Sequence, residues 1–296
     1  MTLGGYTARA AGDTKAAELV AQARAALGGD TKLSKVQGLS AAGTYQRDAG
    51  ERQLSGEITI DLQLPDKMVR TDSMNPIGDA TVVMLQGING DQVLRNSRTI
   101  GGGPGMVIRV APPPAGTDAE GQALRNARAE LVRFALAFLL TSPSSMPIEF
   151  TYGGQAEAPV SDIGDIAKAD VIDAKGQGSF AARIFLDQKS HRPLMLQYRG
   201  AAPRMVVQTR RGDGPPPDPN HVQGDANQAT GRAAAPQPPA PQIVDIQMFL
   251  DDYKPVDGVL LPHHISRSID GKPNEEWAFK TIRVNPTFKP DTFSGK

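Results

Sequence analysis

The stretch from Ile243 to Phe293, IVDIQMFLDDYKPVDGVLLPHHISRSIDGKPNEEWAFKTIRVNPTFKPDTF, admits few folds because it reads as three consecutive antiparallel strands. Ile246, Met248 and Leu250 alternate with Asp245, Gln247 and Phe249, the period of two that sends neighbours to opposite faces of a strand. The segment DDYKPVDG supplies the Pro and Gly that break a ladder and reverse the chain. Leu261, His263, Ile265 and Ile269 then share one face of a second strand, which ends at the turn residues Asp270 and Gly271.

The same grammar runs through the rest of the chain. A helix is expected from about Asp13 to Leu27, where Leu19, Val20, Ala23, Ala26 and Leu27 form a stripe and Gly28 and Gly29 close it. Strands follow at 36–48 and 57–64, and in the second Ile58, Ile60, Leu62 and Leu64 alternate strictly with Thr59, Asp61 and Gln63. That is a sheet wet on one face. Segments 65–74, 80–87 and 91–96 continue the meander, with Asn89 and Gly90 marking a hairpin turn. The links are too short for crossover helices, so the strands are antiparallel.

One helix interrupts the sheet. Thr117 and Glu120 are spaced as a capping box, and Leu124, Ala127, Leu131, Ala135 and Phe138 lie along one face until Thr141, Ser142 and Pro143 stop it. Its last residues, LVRFALAFLL, carry one charge, Arg133, and are otherwise apolar all round. Such a helix must be covered on nearly every side, by sheet and neighbouring helix or by something apolar that is not protein. Strands resume at 148–152, 169–176, 179–187, 193–200 and 204–209, the link from Asp187 to Arg192 being a hairpin.

From Arg210 to Pro241 the composition changes: eight prolines, four glycines and Val222 as the sole large apolar residue. Such a segment buries too little surface to order itself. It reads as a disordered excursion between two strands of one sheet rather than an interdomain linker, since the chain beyond Pro241 is too short to fold alone. The expected organisation is a flexible N-terminus over 1–12 and a single domain over 13–296 with the 210–241 loop inserted.

Composition removes several function classes. Lys plus Arg and Asp plus Glu stand at 32 each, so no net field attracts nucleic acid. The absence of cysteine excludes disulfides, thiolate metal sites and a cysteine nucleophile. No apolar run reaches the roughly 18 residues that span a bilayer, and MTLGGYTARAAG lacks the apolar core of an export signal. His263 and His264 point to opposite faces of a strand and cannot share a metal, while His191 and His221 lie in a hairpin link and the Pro-rich loop. The GGGPG run at 101–105 lacks the Lys and Ser or Thr of a phosphate loop. Ser144, Ser145 and Ser179 have no nucleophile-elbow context. The pairs Asp251 with Asp252 and Glu275 with Glu276 alternate faces beside turns and are expected to be solvated. No cofactor is expected.

The order helix, long meander, apolar helix, further meander predicts a mainly β (α+β) protein, a strongly curved antiparallel sheet whose concave side is filled by helices. Here the chain resembles the bacterial periplasmic lipoprotein-carrier superfamily (outer-membrane lipoprotein-sorting, LolA-like). The resemblance rests on AELVAQARAALGGDTKLSKVQGLSAAGTY (17–45), PDKMVR (65–70), FLDQKSHRPLMLQYRG (185–200), DDYKPVDGVLLPHHI (251–265) and VNPTFKPDTF (284–293). It implies an unclosed half-barrel with a helical lid over an apolar cavity that holds acyl chains, no enzymatic activity, a periplasmic location, and lipid or an acylated lipoprotein as partner. On that reading Leu131, Phe134, Phe138 and Leu139 belong to the lid, and Ile60, Leu62, Met84, Leu196, Met248 and Phe279 to the sheet side of the cavity. Ordinary core packing is the alternative for each. The other function class is an envelope structural or protein-interaction module with a filled interior, acting through its outer face or Pro-rich loop. A hydrolase or metalloenzyme would need convergent polar groups in a cleft.

Overall fold

A computed structural model describes residues 5–49, 52–77, 80–101, 118–160, 165–201 and 242–295. Twelve strands form one antiparallel sheet: β1 (Gly38–Ala49), β2 (Arg52–Gln63), β3 (Lys67–Ile77), β4 (Ala80–Asn89), β5 (Gln92–Ile100), β6 (Glu149–Pro159), β7 (Ile166–Lys175), β8 (Ala181–Asp187), β9 (Pro193–Ala201), β10 (Ile243–Val256), β11 (Val259–Ile269) and β12 (Lys272–Val284). Their spatial order is β5-β4-β3-β2-β1-β12-β11-β10-β9-β8-β7-β6. The chain thus lays two meanders outward from a central seam, where β1 pairs with β12 in register Tyr45↔Trp277. Among the described residues, β5 and β6 are the two free edges and do not pair with each other, so the half-barrel is unclosed.

That topology dictates where the long helix goes. Because β5 and β6 are consecutive in sequence yet lie at opposite edges, the connection between them must cross the sheet. It carries α3 (Ala119–Leu139), which packs against β4, β5, β9 and β11. Every residue from Leu131 to Leu140 is buried except Arg133, as expected of a helix apolar all round. Its cap differs from the expected one. Asp118, not Thr117, is the N-cap, and its carboxylate accepts from the Gly121 N–H at 3.0 Å. Leu140 adopts a left-handed conformation (φ 46°) and ends the helix before Thr141.

The first helix, α1, spans Gly5–Ala26 rather than starting near Asp13. Residues 1–4, the expected strand at 204–209 and the 210–241 loop lie outside the described residues, as do Gly102 to Gly105 and His221. A short helix, α2 (Asp30–Leu33), follows, and α1 packs on β6. Gly28 sits where its backbone meets the β10–β11 turn: a Cβ there would lie 2.6 Å from the Gly258 carbonyl oxygen, and its φ is 122°. The Leu260 N–H donates to Leu27 at 2.8 Å, fixing the end of α1 to the sheet.

The DDYKPVDG segment does not break its strand where the sequence suggests. β10 runs through Lys254 and Pro255 to Val256, and only Asp257 and Gly258 (φ 49° and 80°) make the turn. Two successive positive φ values match the right-handed twist of a hairpin, which Asp-Gly adopts at low cost. Asp270 and Gly271 do the same between β11 and β12. Curvature at the seam has a local cause: at Gly43, where the register with β12 shifts, an added Cβ would stand 2.0 Å from the Ala278 carbonyl oxygen.

The main core lies between α3 and the concave face. The outer face of β2 carries half-buried Thr59, Asp61 and Gln63, as the alternation requires. Strands β7 to β10 are apolar on both faces: Val171, Phe185, Met195 and Phe249 face one another across four strands and form a second cluster on the outer side. The continuous run PLML is the sequence sign of such double burial.

Candidate functional site

The ten residues expected around the interior come together. Leu131, Phe134, Phe138 and Leu139 on α3, and Ile60, Leu62, Leu196, Met248 and Phe279 on the sheet, are all buried members of one core cluster, and Met84 packs against it half-buried. The rings form a ladder: Phe138 to Phe134 (centroids 6.0 Å apart), Phe134 to Trp277 (5.7 Å), with Phe279 at 6.0 Å from Phe138 and 6.4 Å from Trp277. Such offset and tilted ring pairs each contribute about 0.5–1.5 kcal/mol beyond their burial.

Among the described residues, a cleft of about 420 Å³ opens between α1 and β6, beside this core, with Ala17, Val20, Ala21, Arg24 and Phe150 on its walls. A second, of about 310 Å³, lies by Lys32, Val36 and Asn285. Neither is walled by the ten residues.

The larger surprise of the interior is charge. On β3, Arg70 and Asp72 stand in phase with the buried Met68 and Met74, and on β12 Glu275 stands in phase with Trp277 and Phe279. Glu275 is therefore not solvated, contrary to the expectation from its neighbour turn; it is 6% exposed. Arg70 donates to Glu275 and, at 2.8 Å, to Asp72, while Arg47 donates to Glu275 at 2.7 Å. Arg267 reaches Glu275 at 3.8 Å and Glu130 of α3 at 3.6 Å, and also donates to the Tyr198 hydroxyl. Arg133, the lone charge of the apolar half-helix, donates to Glu130 at 3.1 Å and lies 3.8 Å from the centre of the Tyr198 ring. Burial drives the Glu275 carboxyl up, but the guanidinium groups of Arg70, Arg47 and Arg267 outweigh it and hold the group far below the carboxylate range. Glu130 behaves likewise, burial opposed and overcome by Arg267 and Arg133.

The remaining singled-out residues are placed elsewhere. His263 faces inward, its Nδ1 3.0 Å from the Leu261 carbonyl; His264 faces outward between Asp251 (2.8 Å) and Glu276 (2.7 Å), confirming the opposed faces. Asp252 pairs with Lys254 at 2.6 Å. Ser145 bonds the Pro65 carbonyl and Ser179 that of Gly178. Sequence reasoning passed over Trp277, Tyr45 and the Arg-carboxylate cluster. Their signal was a charged residue in the apolar phase of an alternating strand, as in Met68, Arg70, Asp72 and Met74.

No family model matches the chain, and no curated protein sequence matches it. Among solved structures the chain is similar to a DUF1329 family protein from Desulfovibrio piger, with 8% identity and a TM-score of 0.44 over 96% of each chain. It is similar to a putative outer membrane lipoprotein-sorting protein domain from Vibrio parahaemolyticus, with 9% identity and a TM-score of 0.43 over 95% of this chain and 97% of that one. It is also similar to a LolA superfamily protein from Nitrosomonas europaea, with 8% identity and a TM-score of 0.44 over 94% and 96%.

Proposed function

We propose that this chain is a non-enzymatic binder or carrier of the acyl chains of a lipid or lipoprotein, working in the periplasm, with the interior beneath α3 as its site. The observation that carries this reading is the path of α3. An apolar half-helix crosses the concave side of an unclosed sheet, joined to it by interdigitated apolar side chains between a few polar anchors. Parting that layer exposes a surface of Leu131, Phe134, Phe138 and Leu139 against Ile60, Leu62, Met84, Leu196, Met248 and Phe279, where each buried CH₂ of a guest contributes about 0.8 kcal/mol. Methionines at 68, 74, 84 and 248 suit a surface that repacks, being unbranched and polarisable. The cleft of about 420 Å³ between α1 and β6 adjoins the same core and falls within the roughly 300–1,000 Å³ of ligand pockets.

A second reading has an observation of its own. The stacked Phe134, Phe138 and Trp277, with Phe279 tilted against them, pack on one another between α3 and the sheet, as expected of an envelope structural or interaction module with a closed core.

Purification from a bacterial envelope, followed by solvent extraction and mass spectrometry, separates the two. The carrier reading expects stoichiometric co-purifying lipid and saturable binding of a fluorescent fatty acid by the delipidated protein. Absence of both defeats it in favour of the closed module. Phe138→Asp sharpens the comparison: the carrier loses the probe while keeping its fold, whereas a closed core unfolds.

A further inference from the structure

The buried charge cluster on the concave face is unbalanced, and its imbalance has a direction. Among the described residues, four guanidinium groups, those of Arg47, Arg70, Arg133 and Arg267, face three carboxylates, those of Asp72, Glu130 and Glu275. Donors are in surplus too. The Tyr45 hydroxyl, the Trp277 indole N–H and the Arg133 Nε–H are buried without a hydrogen-bond partner among the described residues. Tyr45 and Trp277 are directly opposite across β1 and β12, and they are 1% and 0% exposed. Arg47 and Arg70 carry their guanidinium groups 5.8 Å and 4.8 Å from the Tyr45 and Trp277 ring centres. A buried donor left unpaired costs about 1–3 kcal/mol, and an uncompensated buried cation costs more. One acceptor carrying negative charge would answer both deficits at once.

We infer that this cluster receives the anionic end, a carboxylate or phosphate, of an amphiphile whose tail lies along α3. This rests on the acyl-binding reading and specifies the ligand's class. The same Trp277 that borders Arg70 and Arg267 on one side stacks on Phe134, and Phe134 on Phe138, so a continuous aromatic path leads from charge to the apolar end of α3. Arg47, with a side chain 16% exposed, lies on the solvent side of Arg70, at 4%, and is able to follow an arriving head group.

Trp277 is the chain's single tryptophan, so its emission reports from within the site. The delipidated full-length protein is titrated with oleic acid, methyl oleate and oleoyl lysophosphatidic acid, following Trp277 fluorescence and calorimetric heat. Oleate is expected to bind about tenfold or more tighter than its methyl ester. A further gain with the lysophosphatidic acid assigns the site to a phosphate head, and equal affinity of the two anions to a carboxylate. Tyr45→Phe removes a hydroxyl that has no partner among the described residues, so it leaves the urea midpoint unchanged or raised while shrinking the acid-to-ester ratio; Arg47→Met shrinks it further. Equal binding of acid and ester, or a ratio untouched by both substitutions, overturns the inference and leaves acyl binding standing. Failure of all three ligands to bind removes the acyl-binding reading itself.

Discussion

Arg24 of α1 donates to the carbonyl oxygen of Leu139 at 3.0 Å, so one side chain closes the C-terminus of the other long helix. The same guanidinium reaches Leu140 O at 3.1 Å and Thr141 Oγ1 at 2.8 Å, and its Nε is held by Asp30 at 2.7 Å. Cations are favoured at this end of a helix, where the last carbonyls have no intrahelical partner and the dipole is negative. Arg24→Met takes this donor from the half-buried Leu140 carbonyl and leaves Leu139 O only the Thr141 hydroxyl at 3.2 Å, with an expected loss of ~1–3 kcal/mol in urea unfolding. Arg24→Lys should recover part of it, since a single ammonium replaces only some of the donors. An unchanged midpoint in Arg24→Met would show that the contact does not hold α3 down.

Glu275 is the pivot of the interior charges, approached by Arg47, Arg70 and Arg267. Replacing it with Gln keeps the shape but removes the charge that Arg47, Arg70 and Arg267 share, leaving Asp72 and Glu130 as their carboxylate partners, an expected cost of ~3–5 kcal/mol. The acid limb follows from the same contacts. Its carboxyl releases its proton far more readily in the folded chain than in the unfolded one, where the ordinary value is about 4.3. The stabilisation is therefore complete above that value and drains away as pH falls below it. Unfolding curves between pH 7 and pH 2.5 should fall more steeply for the native chain than for Glu275→Gln; parallel curves would refute the assignment.

Strand placement was readable from Ile58 to Leu64 because one face of that strand meets water, and the period of two survives. The route of α3 was less accessible: its apolar half announces burial, but only the pairing of β1 with β12 makes β5 and β6 opposite edges and forces the crossing. The interior charges were hidden for a different reason. Glu275 and Glu276 look equivalent in sequence, and their fates diverge because adjacent residues on a strand take opposite faces, one toward three arginines and the other toward His264. Thr117 and Asp118 are likewise both residue types that suit an N-cap, so residue type alone does not choose between them.

On the outer face, His264 links β10 and β12 through Asp251 at 2.8 Å and Glu276 at 2.7 Å. The bond to Asp251 favours the imidazolium, partial burial opposes it, and the bond to Glu276 favours it again, so the ring is pushed up to about 9. An unfolded histidine titrates near 6.5. The folded state thus holds the proton more tightly, and the stability this contributes is fully present below about pH 6.5 and lost as pH rises through about 9. Because the Glu276 side chain is 52% exposed, water screens that arm, and the swing is expected at ~1–2 kcal/mol rather than the full value of the shift. Urea midpoints at pH 6 and pH 9.5 should differ by that amount in the native chain and converge in His264→Gln, which keeps hydrogen bonding but cannot take the charge. A swing of equal size in both proteins would place its origin elsewhere, and an NMR titration with the His264 ring deprotonating near 6.5 would remove the clamp altogether.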